Sequence, residues 1–175
     1  MKRFVALAAL MAALSTPAAA QQMTAPAAGQ MMLTPDTYRA TAMISDSFEI
    51  EAARLAQQRS ASPAVRNYAN MMIRDHSMTS QALMGGVQMA ALGSMAPALD
   101  GRHAAMLNQL GAASGPQFDR LYGQMMVMSH QEALALHGSY AQAGTDPALR
   151  TFAASVTPHI RHHLATARRL PGARG

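Results

Sequence analysis

The chain contains no cysteine, which excludes disulfides, thiolate metal ligands, a thiol nucleophile and lipidation at a signal-peptide cleavage point. Its only lysine is Lys2, and its only glutamates are Glu49, Glu51 and Glu132. No G-x-S-x-G elbow, glycine-rich phosphate loop or serine in a triad context occurs, so hydrolytic chemistry has no sequence basis. Beyond residue 20 no stretch approaches the roughly 20 apolar residues of a membrane helix. No stable membrane insertion of the mature chain is expected.

What is present begins with Lys2 and Arg3, an apolar run from Phe4 to Leu14, and the small residues Ala18, Ala19 and Ala20. This pattern predicts a Sec-type signal peptide over residues 1–20, cleaved after Ala20, and a periplasmic location in a Gram-negative cell. Losing Lys2 and Arg3 lowers the formal charge from +5 to +3. The remaining arginines are scattered among acids, and export separates the chain from nucleic acid, so nucleic acid is not an expected partner. Residues 21–35 carry two prolines without periodicity and read as a flexible leader; residues 36–170 form one domain, with 171–175 as a disordered tail.

Four stretches in that domain have helical periodicity. The first runs from Asp36 to Arg59 with Ile44, Phe48, Ala52 and Leu55 as its apolar stripe. The second opens on Ser62 and Pro63 and places Val65, Ala69, Met72, His76 and Leu83 on one face before Gly85 and Gly86. The third follows Pro116 to Ala143 with Phe118, Tyr122, Met126 and His130 at steps of four. The fourth opens on Asp146 and Pro147, buries Leu149, Phe152, Val156, Ile160 and Leu164, and is expected to kink at Pro158. Ser62-Pro63-Ala64-Val65-Arg66 echoes Asp146-Pro147-Ala148-Leu149-Arg150, each opening the second helix of a hairpin. About thirty residues separate the two hairpins and contain one short amphipathic piece, Asp100 to Leu110. Two antiparallel hairpins joined by a long crossover predict an all-α, ferritin-like four-helix bundle.

Several segments resemble the exported bacterial proteins of domain of unknown function 4142: Phe48-Glu49-Ile50-Glu51, SPAVRNYANMMIRDH, HAAMLNQLGAASGPQFDRLY, MMVMSHQEALAL and DPALRTFAASVTPHIRHHLATAR. The resemblance spans about residues 38 to 168. It implies a ferritin-like fold and an envelope location, and it implies no particular activity.

Four polar side chains fall on core-facing stripes, one per helix: Glu49, His76, His130 and His163. Counted from each hairpin turn at about 1.5 Å per residue, they lie within about one helical turn of a common level. Such a layer of imidazoles and a carboxylate inside a bundle is a candidate metal site. It is not an ordinary di-iron site, because the residues three before the histidines are Ile73, Val127 and Ile160 rather than glutamates. Of 16 methionines, only Met1 and Met11 fall in the signal peptide. Met72 and Met126 each precede a histidine by four residues, as His159 precedes His163, so thioether and imidazole donors favour copper, above all Cu(I). Two alternatives stand beside metal binding: a purely structural polar layer in an envelope or stress protein with a protein partner or a second copy, and an oxidant sink of exposed methionines. Glu51 reads as an exposed partner of Arg54, and His103, His137 and His162 as surface or boundary residues.

Overall fold

The computed structural model describes residues 33–85 and 98–173. Residues 1–20, expected to be a signal peptide, residues 21–32 of the expected leader, residues 86–97 with Gly86, and residues 174–175 lie outside the described residues. The described part is all helical. Its elements are α1 (Pro35–Arg59), α2 (Pro63–Leu83), α3 (Gly101–Ala112), α4 (Gly115–Ala143) and α5 (Pro147–Ala167).

The helix starts follow from capping chemistry. The side chains of Thr34, Ser62, Asp100 and Asp146 accept hydrogen bonds from the amides of Thr37, Val65, His103 and Leu149, so each satisfies one donor that the first helical turn leaves open. Prolines at the first or second position of α1, α2, α4 and α5 cost no hydrogen bond there. The echo between the two hairpins extends to its arginines: Arg66 donates to the carbonyl of Ser60 and Arg150 to that of Gly144, each at 2.7 Å. Each arginine thus ties the start of its helix to the end of the one before.

Helix α1 packs along α2, and α4 along α5, while α1 also packs on α4 and carries α3. Tyr38 meets His137 and Tyr140, whereas Glu49, further along α1, meets Ser129 and His130, so α1 and α4 run in opposite directions. Tyr68 faces Tyr122, and His76 faces His130, so α2 and α4 run in the same direction. Helices α2 and α5 touch only slightly, and both line a cleft that α1 and α4 complete.

The core has two apolar clusters. One holds Phe48, Val65, Met72, Phe118, Tyr122 and Met126 with Leu110 of α3. The other holds Tyr38, Ala42, Met43, Leu83, Tyr140 and Leu149. The first cluster extends beyond residue 170. Leu170 and Ala173 are buried in it, and a Cβ at Gly123 would lie 2.9 Å from the Ala173 side chain. The absence of a side chain at Gly123 therefore lets α4 approach the C-terminal segment, and residues 171–173 belong to the packed domain rather than to a disordered tail.

Two expectations about α1 and α4 are corrected. Ile44 and Leu55 are only partly buried, and the fully buried face of α1 is Tyr38, Ala42, Asp46, Glu49, Ala53 and Ala56 together with Phe48 and Ala52. That face follows steps of three and four, but two of its members are acids, which a search for apolar stripes passes over. His137 is buried, not a surface residue: it lies on the same face of α4 as His130, seven residues on, and its Nδ1 pairs with the Tyr38 hydroxyl at 2.8 Å. His103 is partly buried, His162 is exposed, and Glu51 pairs with Arg54. Helix α5 is assigned continuously through Pro158, which lies on its exposed side.

Candidate metal centre

The polar layer lies between the two apolar clusters, with one contributor per long helix. The imidazole centroids of His76, His130 and His163 are separated by 5.6 Å, 5.4 Å and 5.3 Å. One ring nitrogen from each lies within 4.8 Å of the others, and all three side chains are buried. Glu49 completes the layer from α1: its Oε2 is 2.7 Å from His76 Nε2, its Oε1 is 3.4 Å from His130 Nδ1, and Oε1 also accepts a hydrogen bond from Ser129.

Each histidine is held from behind by one nitrogen. His76 Nδ1 lies 2.8 Å from Asp46 Oδ1, and Ser80 donates to the other oxygen of Asp46. His130 Nδ1 lies 2.8 Å from the carbonyl oxygen of Met126, an acceptor only, so this nitrogen carries the proton. His163 Nε2 lies 2.9 Å from Asp75 Oδ2, which makes it the protonated nitrogen of a neutral ring. Among the described residues, the second nitrogens of two rings, His130 Nε2 and His163 Nδ1, are buried without a hydrogen-bond partner. His76 Nε2 and Glu49 Oε2 instead face each other at 2.7 Å as a buried ion pair. Buried polar atoms are rarely left unpaired, and two in one layer require an explanation.

A carboxylate or carbonyl behind each imidazole is the arrangement that fixes tautomer and ring orientation in metal sites. The donor set of three nitrogens and one carboxylate oxygen fits zinc, copper, iron or nickel. Tetrahedral coordination at about 2.0–2.1 Å requires neighbouring donors roughly 3.3 Å apart, so the three imidazoles would close in on an ion, and Glu49, which groups with Asp46 and His76, would swing towards it. Asp46 and Glu49 also form a second triad with His76.

The charges are arranged around His76. Burial opposes its protonation, but Glu49 and Asp46 outweigh burial and raise its pKa well above that of a free imidazole, so it is an imidazolium at neutral pH. Burial pushes the Glu49 carboxyl up, yet the facing His130 and His76 and the Ser129 hydroxyl hold it well below the usual carboxylate range. Asp46 moves the other way, raised by burial against the opposing pull of His76. His130 is lowered by burial, and His163 is lowered to about 4 by burial and by the charges of His76 and His130. His137 is likewise lowered to about 4, chiefly by burial.

These shifts predict an acid-labile protein. A histidine whose folded pKa is depressed contributes stability that is complete above its unfolded value near 6.5 and lost as pH falls towards the folded value. His137 and His163, both near 4, therefore remove about 3 kcal/mol each between pH 6.5 and 4. Asp46, whose folded value is raised, offsets part of this, whereas the contribution of His76 is already complete below about 6.5 and adds nothing further as the pH falls. Denaturant unfolding of the metal-free chain is expected to show a net loss of at least about 2 kcal/mol from pH 6.5 to pH 4.5; a flat profile would contradict the charge assignment.

Of the remaining predicted ligands, Met72 and Met126 are fully buried in the first apolar cluster, one turn before their histidines. His159 is exposed and lines a cavity of about 250 Å³ that opens between α2 and α5 and reaches Glu49, His76 and His163. Sequence reasoning missed Asp46, Asp75, Ser129 and the Tyr38–His137 pair. Two of these carried a signal: Asp46 stands three residues before Glu49 on the same face of α1, and Asp75 adjoins His76.

The family model of the domain of unknown function DUF4142 matches residues 18–170, and the chain belongs to that family. Among proteins with curated descriptions, none matches the sequence. Two solved structures share the fold. CopM in its Cu(II)-bound form has a TM-score of 0.63 at 17% identity, covering 79% of this chain and 96% of its own. A DUF305 protein from Streptomyces coelicolor, described as secreted, has a TM-score of 0.59 at 16% identity, covering 77% and 90%. Among the described residues, no helix is long and apolar enough to cross a membrane.

Proposed function

We propose that this DUF4142 protein is an exported, ferritin-like helical bundle that binds a transition metal, copper before others, through His76, His130, His163 and Glu49. The observation that carries the reading is a pair of buried imidazole nitrogens without partners, His130 Nε2 and His163 Nδ1, on rings anchored from behind by the Met126 carbonyl and Asp75 and set beside the His76–Glu49 ion pair, whose His76 Nε2 proton a bound cation would displace. Copper leads because imidazole suits it and because Cu(II) heads the affinity order of divalent first-row metals; the shared fold with a copper-bound protein adds support. Met72 and Met126, one turn from the ligands, are placed in this reading as flanking soft donors, while His159, exposed at the cavity, stands outside the set that holds the ion. The bound ion is cargo held for buffering or tolerance, and no catalytic step is assigned. The periplasm is the proposed compartment, reached through the signal peptide cleaved after Ala20 and supported by the likeness to a protein described as secreted.

One observation favours a second reading. His76 is already neutralised between Asp46 and Glu49, so the layer also serves as a structural ion network that fixes helix register, with an envelope protein or a second copy as partner. Thermal unfolding of the chain from Gln21 onward, alone and with Cu(I), Cu(II), Zn(II), Fe(II) and Mn(II), separates the two. An ion at 100 times its dissociation constant is expected to stabilise the folded chain by about 2.7 kcal/mol. No shift with any of the five would leave the structural reading standing.

A further inference from the structure

The cavity that reaches the histidine layer has a mouth of unusual composition. Met78 is 61% exposed, one of two large apolar side chains so displayed among the described residues, and it lines this cavity. Met78 forgoes the roughly 1.5–3 kcal/mol that burial of a large apolar side chain gives, and its thioether stands open to solvent while lining the cavity. His159 lines the same cavity from α5, is exposed, and has no hydrogen bond or ion pair among the described residues. Asp75 lies between mouth and interior: it lines the cavity and holds His163 Nε2.

The helical spacing turns these three into a path. His159 stands one turn before His163 on α5, and Met78 stands one turn after Asp75 on α2, so the first adjoins a histidine of the buried layer and the second adjoins the carboxylate that holds that histidine. The two helices make few contacts with each other, and the cavity they line reaches His76 and the unpartnered Nδ1 of His163. A thioether and a neutral imidazole are soft to intermediate donors, the pair that suits a soft transition cation more than a hard one.

We infer that Met78 and His159 form an uptake relay, a transient ligand pair that captures Cu(I) at the cavity mouth and passes it inward to His163, His76 and His130. The inference rests on the metal-binding reading above and adds a route to it. Relay ligands lie on the path and not at its end. Removing them slows arrival and departure alike and leaves the equilibrium constant in place, whereas removing a terminal ligand weakens binding. Neither mouth residue is part of the core, so neither substitution disturbs folding.

The test is stopped-flow transfer of Cu(I) from a coloured weak chelator to the full mature chain, beside Zn(II) transfer from its own indicator. The double variant Met78→Ala/His159→Ala is expected to take up Cu(I) at least tenfold more slowly than wild type, with its equilibrium affinity within threefold. Met78→Ala alone is expected to slow Cu(I) and to leave the Zn(II) rate unchanged, since a thioether contributes little to zinc. Unchanged Cu(I) kinetics in the double variant overturns the relay. A fall in affinity as large as that of His130→Ala also overturns it, by making the mouth the binding site itself. Wild-type protein that takes up neither ion overturns the metal-binding reading and the relay with it, an outcome distinct from unchanged kinetics in a chain that binds.

Discussion

His130→Ala is expected to lower the affinity for copper by on the order of a hundredfold or more, equivalent to about 2.8 kcal/mol at 1.4 kcal/mol per tenfold. His130 is the most enclosed of the three imidazoles. Its lowered pKa leaves it neutral at pH 7, so no proton opposes coordination there. Its Nδ1 is committed to the Met126 carbonyl, which leaves the Nε2 lone pair as the donor. His130→Phe keeps the volume of the ring without its lone pair and is expected to lose copper to the same extent while packing more tightly than the alanine variant. Asp75→Asn, which alters only the group behind His163, is expected to cost about 10–100-fold. Isothermal titration of the three variants checks the order. Equal affinity in wild type and His130→Phe would remove this histidine from the ligand set.

The second large effect concerns the metal-free chain. Glu49→Ala is expected to destabilise it by about 3–5 kcal/mol, because the substitution breaks a buried ion pair and leaves the partner charge exposed to a low-dielectric surrounding. The imidazolium of His76 would keep only Asp46, and Ser129 would lose its acceptor. A native domain has only about 5–15 kcal/mol in hand, so the loss is readily measured by denaturant unfolding in the presence of a chelator. A cost below about 1 kcal/mol would show that Glu49 is not the counter-ion of His76. Glu49→Gln, which preserves shape, is expected to fall between wild type and alanine and to separate the lost charge from the lost volume.

The helices were legible because their punctuation is local. Ser62-Pro63 and Asp146-Pro147 are caps whose hydrogen bonds involve residues three apart, so four neighbouring letters suffice to place a helix start. The convergence of Glu49, His76, His130 and His163 was legible because rise per residue is nearly constant, which makes depth along a hairpin a matter of counting. Asp46 was not, because its burial depends on a partner thirty residues away, His76, and an acid on a helix face reads as solvated until that partner is known. His137 was missed for the same reason, since the Tyr38 hydroxyl that satisfies it comes from α1. The direction of α2 relative to α4 depends on how the intervening segment crosses, which no local rule fixes, and it emerges only from the Tyr68–Tyr122 and His76–His130 pairs. Chemistry was the least legible of all: the same imidazoles serve as ligands or as a structural network, and the difference lies in which nitrogen each neighbour occupies.

Anomalous diffraction at the copper edge from crystals of the chain loaded with one equivalent of copper tests metal binding at the histidine layer most directly. The expected result is one strong peak enclosed by His76 Nε2, His130 Nε2, His163 Nδ1 and Glu49 Oε2. A peak confined to the surface, or none inside the layer while the four side chains keep their metal-free positions, would contradict it.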